Sequence, residues 1–260
     1  MKGILTNCEI YLNCFTFAYF CVIIGMMNNR KGNVMIDLEK DLSKTLIAHS
    51  IVSSDHLDEM QDMFKGFQEF MMMYNCAIRE VRTKFEVLND DFSIAYKRNP
   101  IEMIKSRIKK PASIMEKLRR KNYPLTMESI LNNLNDVAGV RVICSFIDDI
   151  YEVADMFASQ DDVKVIEIKD YIKTPKENGY RSYHMIVEIP VFFSKKKQNM
   201  RVEVQLRTIA MDFWASLEHK MKYKKDTPNI EKLEEELKEC AEIIAKTDEK
   251  MQNINKELLN

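Results

Sequence analysis

From residue 36 onward the apolar positions fall at helical intervals. Leu38, Leu42, Leu46 and Ile47 predict a helix over Ile36–Ser50. Ser54 and Asp55 are suited to cap a second, longer helix running from about His56 towards Asn89. Its apolar side is Met60, Met63, Phe64, Phe67, Phe70 and Met71. The methionines there read as adaptable core filler rather than metal ligands. Pro100 stands where a first-turn proline belongs, and Ile101–Lys121 is expected to follow as a basic helical region broken near Pro111.

The pattern then changes to β-branched runs and alternation. Gly139–Ser145, Val163–Ile168, Tyr183–Phe193 and Arg201–Leu206 predict strands. Ile147–Ser159 predicts a helix between the first two, and Thr208–Tyr223 a helix after the last. Together they imply a sheet flanked by helices, of the α/β or α+β class. The tail returns to a three-then-four step at Ile230, Leu233, Leu237, Cys240, Ile244, Met251, Ile254 and Leu258, interrupted by Thr247. This is a heptad seam on one long C-terminal helix. It suits packing on its own domain or on another subunit, and the highly charged outer faces favour a homo-oligomer.

Charge is balanced over the 260 residues, with 39 basic and 40 acidic side chains, so the total points to no class of partner. Only six glycines occur, and no G-x-x-x-x-G-K-[ST] or G-x-G-x-x-G can be written. A phosphate site here must therefore be built from side-chain cations. Six cysteines form no C-x-x-C and are read as free thiols of a reducing compartment. Ile10–Met27 is free of charge over 18 residues, bordering on a membrane span. It is open to three readings: an anchor, an upstream extension with the start at Met26, Met27 or Met35, or a buried helix. The extension is preferred, because from Met35 the pattern is that of a complete soluble, cytoplasmic protein. The expected divisions are 1–34 as that extension, 35–96 as a helical region, 97–225 as the catalytic domain and 226–260 as the heptad helix.

Candidate chemistry gathers in the middle. Asp136 precedes one strand and Glu203 lies within another. A carboxylate from each of two neighbouring strands can hold Mg²⁺ with few protein ligands, leaving positions for phosphate oxygens. Glu203 alternates with Val202 and Val204, so it shares a polar face with Arg201 and Gln205. Lys109, Ser113 and Lys117 lie four apart, and with Arg107 they can follow a triphosphate along one helix face. A solvated basic face is the commoner origin of such spacing, and composition alone prefers it. The loop from Lys173 brings Lys176, Asn178, Tyr180, Ser182 and His184 close together between two strands. Tyr180 offers a flat ring on which a base can stack, worth roughly 1–3 kcal/mol; a structural, hydrogen-bonded tyrosine and histidine is the plainer alternative.

These strings resemble the synthetase domain of the RelA/SpoT family, especially its short, stand-alone alarmone synthetases. Lys176–His184 matches every fixed position of K-x-N-G-Y-x-S-x-H. Glu203–Thr208 matches E-V-Q-[IL]-R-T, Asp136–Arg141 matches D-x-x-G-x-R, and Ala210–Lys220 is similar to the helix that follows. The resemblance covers roughly Lys97–Lys225. It implies an α+β fold, a mixed β-sheet of about five strands flanked by helices and nucleotidyltransferase-like, and transfer of pyrophosphate from ATP to the 3′-hydroxyl of GDP or GTP, giving ppGpp or pppGpp. It implies that Asp136 and Glu203 bind Mg²⁺, with Glu203 also activating the acceptor hydroxyl. Arg107, Lys109, Ser113, Lys117 and Arg141 then form the ATP side. Lys169, Lys176, Asn178, Tyr180, Ser182, His184, Gln205 and Arg207 form the acceptor side, with Tyr180 stacked on guanine. A tetramer, and regulation by single-stranded RNA or by the alarmone itself, belong to the same expectation. None of the four histidines is followed by Asp, so the His-Asp motif of the family's hydrolase domain is missing from this sequence. The rival expectation is a non-catalytic nucleotide- or RNA-binding regulator on the same scaffold, which would not need both acids.

Overall fold

The computed structural model describes residues 54–96, 98–222 and 230–259. The helix expected over Ile36–Ser50 and the apolar stretch Ile10–Met27 lie outside them. Among the described residues no helix is long and apolar enough to cross a membrane.

Among the described residues the chain divides into two compact units, one of residues 54–73 and 109–134, the other of residues 74–96, 98–108, 135–222 and 230–259. Helix α1 (Ser54–Tyr96) runs from the first into the second and outlasts the expected end at Asn89. The first unit also holds α2 (Pro111–Arg120) and α3 (Met127–Asn133). Pro111 occupies the first turn of α2, whose buried side is Ile114, Met115 and Leu118. Asn122, at φ 55°, ends it: the Asn122 and Tyr123 amides donate to Arg119 O and Leu118 O, the paired bonds of a Schellman cap. Helix α3 was not foreseen. Its signal is Thr126, whose Oγ1 accepts the Ser129 amide at 3.1 Å.

The second unit is a five-stranded sheet in the order β1-β2-β5-β4-β3. Its strands are β1 (Ile101–Ile108), β2 (Ala138–Cys144), β3 (Lys164–Asp170), β4 (Tyr183–Phe192) and β5 (Lys197–Thr208). β2 and β5 are parallel, with Gly139 opposite Glu203, and the other pairs are antiparallel. One face carries Val140, Val142, Met185, Val187, Val202, Val204 and Leu206, all buried. Helix α4 (Ile147–Ala158) supplies Ile150, Val153 and Phe157 to the same core, and Phe157 stacks on Phe85 of α1 with ring centroids 4.3 Å apart. Each such side chain contributes about 1.5–3 kcal/mol through burial. The opposite face is polar at its centre, and α5 (Ile209–Lys222) and α6 (Ile230–Leu259) follow β5.

Three expectations are corrected. Ile101–Lys121 is not one helical region but β1 followed by α2, and Pro100 leads into a strand. Ile101, Ile104 and Ile108 imitate a helical step because a register shift between Ile101 and Met103 breaks strict alternation. Consequently Lys109 precedes α2, and only Ser113 and Lys117 share its face. β5 begins at Lys197 rather than Arg201: Met200, fully buried opposite Ile189, extends the apolar parity of Val202 and Val204, and the polar residues 197–199 pair with β4 beyond it. In α6 the seam is split. Ala241, Asp248 and Gln252 are buried against this unit, whereas Leu233, Met251, Ile254 and Leu258 of the predicted seam are exposed.

Candidate active site

Alternation along β5 places Glu203, Gln205 and Arg207 on the polar face of the sheet. The parallel neighbour β2 sets Gly139 and Arg141 beside them, and β1 adds Lys105 opposite Arg141 and Arg107 opposite Gly139. Glu203, Gln205, Gly139, Arg141, Lys105 and Arg107 line one open cleft, while Arg207 is buried. Across β5 the register brings His184 of β4 next to Gln205, and Lys169 of β3 next to His184.

Glu203 is the centre of a connected group. Gln205 Nε2 donates to Glu203 Oε2 at 2.9 Å, and His184 Nδ1 lies 3.6 Å from Oε1. His184 Nε2 meets the Tyr180 hydroxyl at 2.9 Å. Arg207 Nη2 donates to that hydroxyl at 2.6 Å and to Gln205 Oε1 at 3.0 Å. Burial pushes the Glu203 carboxyl up, but the His184 ring and the Gln205 amide outweigh it, so the group lies below its ordinary value. Asp136 works against them: its charge is close enough to raise Glu203. Two carboxylates that repel each other at the mouth of a parallel strand pair form a site a divalent cation would relieve.

The loop ahead of β4 is closed on itself. Gly179 N–H donates to Lys176 O at 2.8 Å and Lys176 N–H to Tyr180 O at 3.2 Å. Gly179 sits at φ +83°, and a Cβ there would lie 2.5 Å from that of Ala241, so glycine is required twice over. Asn178 is occupied in holding the loop, donating to Glu218 at 2.9 Å and accepting the Tyr180 amide at 3.3 Å. The Tyr180 ring rests against Trp214, Ala215 and Ala241. Lys176 Nζ is 4.9 Å from its centroid and Arg207 Cζ 5.0 Å, so a base stacking on Tyr180 takes the place of one of these cations.

The sequence-predicted residues therefore separate. Glu203, Gln205, Arg107 and Arg141 line the cleft; His184 and Tyr180 join it through hydrogen bonds. Ser182 is fully buried, donating to Leu206 O and accepting from Arg207 Nε, so it holds Arg207 rather than facing the cleft. Lys169 is exposed and paired with Glu167 at 3.1 Å. Lys109, Ser113 and Lys117 belong to the other unit. Residues not foreseen are Lys105, Tyr171, whose ring edge packs on Tyr180 and His184, and Asp212, Trp214 and Glu218 of α5. Met211, Trp214, Ala215 and Glu218 repeat at three and four, a signal visible in the chain but ordinary for any amphipathic helix.

Comparison with known proteins gives a consistent picture. The family pattern described as "Region found in RelA / SpoT proteins" matches residues 106–228. The GTP pyrophosphokinase YwaC of Bacillus subtilis is 42% identical over 207 residues, covering 80% of this chain and 99% of that one. A second B. subtilis GTP pyrophosphokinase, YjbM, is 36% identical over 194 residues, 75% of this chain and 90% of its own. Among solved structures, small alarmone synthetase 1 from B. subtilis bound to its product pppGpp matches with a TM-score of 0.69 at 36% identity, over 75% of this chain and all of that one.

Proposed function

This chain belongs to the RelA/SpoT family as a small alarmone synthetase, and from that premise we propose that its cleft moves the β,γ-pyrophosphate of ATP to the 3′-hydroxyl of GDP or GTP. The observation that carries this reading is Glu203. It is a carboxylate held below its ordinary value, beside a row of cations and joined to the hydroxyl of Tyr180 through His184 and, by a second route, through Gln205 and Arg207.

In the proposed reaction the acceptor's 3′-oxygen bonds to the β-phosphorus of ATP. The bond from that phosphorus to the α,β-bridging oxygen breaks, and AMP leaves. The acceptor proton passes to the Glu203 carboxylate, which is ionised at neutral pH. Tyr180 orients the guanine by stacking, with Lys176 yielding its position over the ring, and Arg107 and Arg141 serve the donor side. Lys109, Ser113 and Lys117 are assigned to the donor on the family pattern alone. The metal we propose is Mg²⁺, held by Asp136 and Glu203; their mutual repulsion and hard oxygen donors fit such an ion. When bound, it would neutralise charge on the transferring phosphates. A homo-oligomer is part of this reading, supported by the exposed apolar stripe of α6 at Leu233, Ile243, Met251, Ile254 and Leu258. The nucleotide substrates make the cytoplasm its proposed location.

The test is incubation of purified protein with ATP, Mg²⁺ and GDP or GTP, resolving 3′-pyrophosphorylated guanosine and AMP. Glu203→Gln keeps the size of the side chain and should lower turnover by roughly 10²–10⁴-fold. No product from the wild type with either acceptor would leave the non-catalytic regulator as the better reading.

A further inference from the structure

Asp212 lies in the first turns of α5 and is only 8% exposed. Its carboxylate accepts from three cations. Lys105 Nζ reaches Oδ2 at 3.0 Å, while Arg141 Nη1 and Arg207 Nη1 reach Oδ1 at 3.0 and 3.2 Å. The three come from β1, β2 and β5, adjacent strands of the sheet, so one helical carboxylate ties together three strands from above. It also spans both halves of the proposed site. Arg141 lines the donor cleft beside Arg107 and Gly139. Arg207 underlies the acceptor side, where its other donors go to Ser182, Gln205 and the Tyr180 hydroxyl.

Charge makes this arrangement depend on Asp212. Burial lowers Arg141, and the Arg207 charge lowers it further, so the two guanidinium groups repel. Asp212 is the carboxylate bonded to both. Burial pushes its own carboxyl up, but Lys105, Arg141 and Arg207 together hold it below its ordinary value. Removing that negative charge leaves three neighbouring cations uncompensated, and the flexible arginine stems would let their heads move apart.

We propose that Asp212 is a positioning residue that fixes Arg141 on the donor side and Arg207 on the acceptor side, so that both nucleotides meet Glu203 in register. It acts through the two guanidinium groups, and it rests on the reading given under Proposed function. Two consequences follow. Loss of Asp212 should weaken both substrates at once, unlike a change in either half alone. Its acceptor effect should also vanish once Arg207 can no longer make its several bonds.

The experiment is steady-state kinetics of Asp212→Asn, Asp212→Glu and Arg207→Lys, with Asp212→Asn also built on Arg207→Lys. Calorimetric Kd values for GDP and for a non-hydrolysable ATP analogue accompany it. Asp212→Asn should raise KM and Kd for both nucleotides about tenfold or more. Asp212→Glu, which keeps the charge, should raise them less. On the Arg207→Lys background, Asp212→Asn should add little to the acceptor Kd. A variant that lowers only the melting temperature, with both KM values unchanged, overturns the proposal; so does full additivity on the acceptor side. If Asp212→Asn does not fold, Asp212→Glu decides alone: nucleotide Kd values unchanged despite the displaced carboxylate also overturn it. Because Kd is read without turnover, a wild type that binds both nucleotides but makes no product counts against the proposed activity and not against this role.

Discussion

The two sides of the cleft are built on different principles. On the proposed acceptor side, Tyr180, His184, Glu203, Gln205 and Arg207 bond to one another in a closed net, and the loop carrying Tyr180 is pinned by Gly179 against Ala241. On the proposed donor side of the same unit, Lys105 and Arg107 stand exposed on β1, which is terminal in the strand order. On the proposed reading, the first arrangement would select, because a base must fit a surface whose groups are already in place. The second would recruit, because exposed cations attract a polyphosphate while requiring little of its base. Preorganised hydrogen bonds are stiff because each member is held by two partners, whereas an exposed arginine keeps its rotamer freedom until a phosphate or base arrives.

The largest effect expected from testing this contrast is at Tyr180. Tyr180→Ala should raise acceptor KM roughly 5- to 150-fold, the equivalent of about 1–3 kcal/mol of stacking, with donor KM unchanged. Equal losses for both substrates in steady-state kinetics would break the division into a selecting and a recruiting side. Arg107→Ala should act more weakly, raising donor KM by roughly 2- to 10-fold, in line with about 1 kcal/mol for a charged contact at an exposed position. That loss should shrink as salt is added, because exposed charges are screened; a salt-independent loss would place Arg107 in a drier site than its exposure shows.

The smallest effect is in the pH profile. Glu203 is held below its ordinary value by His184 and Gln205, so the acid limb of kcat/KM should fall below the usual range of about 4.3 for glutamate. In His184→Ala, burial and the Asp136 charge act with less opposition, and the residual activity should lose its plateau at higher pH. The sign for stability is the same. A depressed carboxyl stabilises the fold above its unfolded value, and that contribution is lost as pH falls through the folded one. A limb that does not move upward on removing His184 would detach Glu203 from the net.

Much of this protein could be read from the chain. Alternation in Val202, Val204 and Leu206 announced β5 and its polar face, because in a strand one parity is buried and the other is not. The string Lys176–His184 was legible as a loop leading into a strand, and Gly179 takes the positive φ that its turn requires. The parallel pairing that sets Gly139 against Glu203 is consistent with the expectation that their two strands are neighbours. The C-terminal helix was legible as a helix, because a three-and-four step needs nothing beyond its own backbone.

What remained hidden depends on which elements meet. Ile101, Ile104 and Ile108 have a helical rhythm, and only pairing with β2 across a register shift makes them a strand. Asp212 is one acid among many on an amphipathic helix. Its place among three cations arises because α5 follows β5 and brings it over β1 and β2, contacts more than 70 residues apart in the chain. Which residues of α6 face inward was likewise undecided, because a heptad row states how wide the apolar side is but not which part of it the rest of its own unit covers. Local periodicity and backbone conformation are properties of a segment and survive in its sequence; the partners of a charge are properties of the assembled sheet and helices, and exist only once distant segments are brought together.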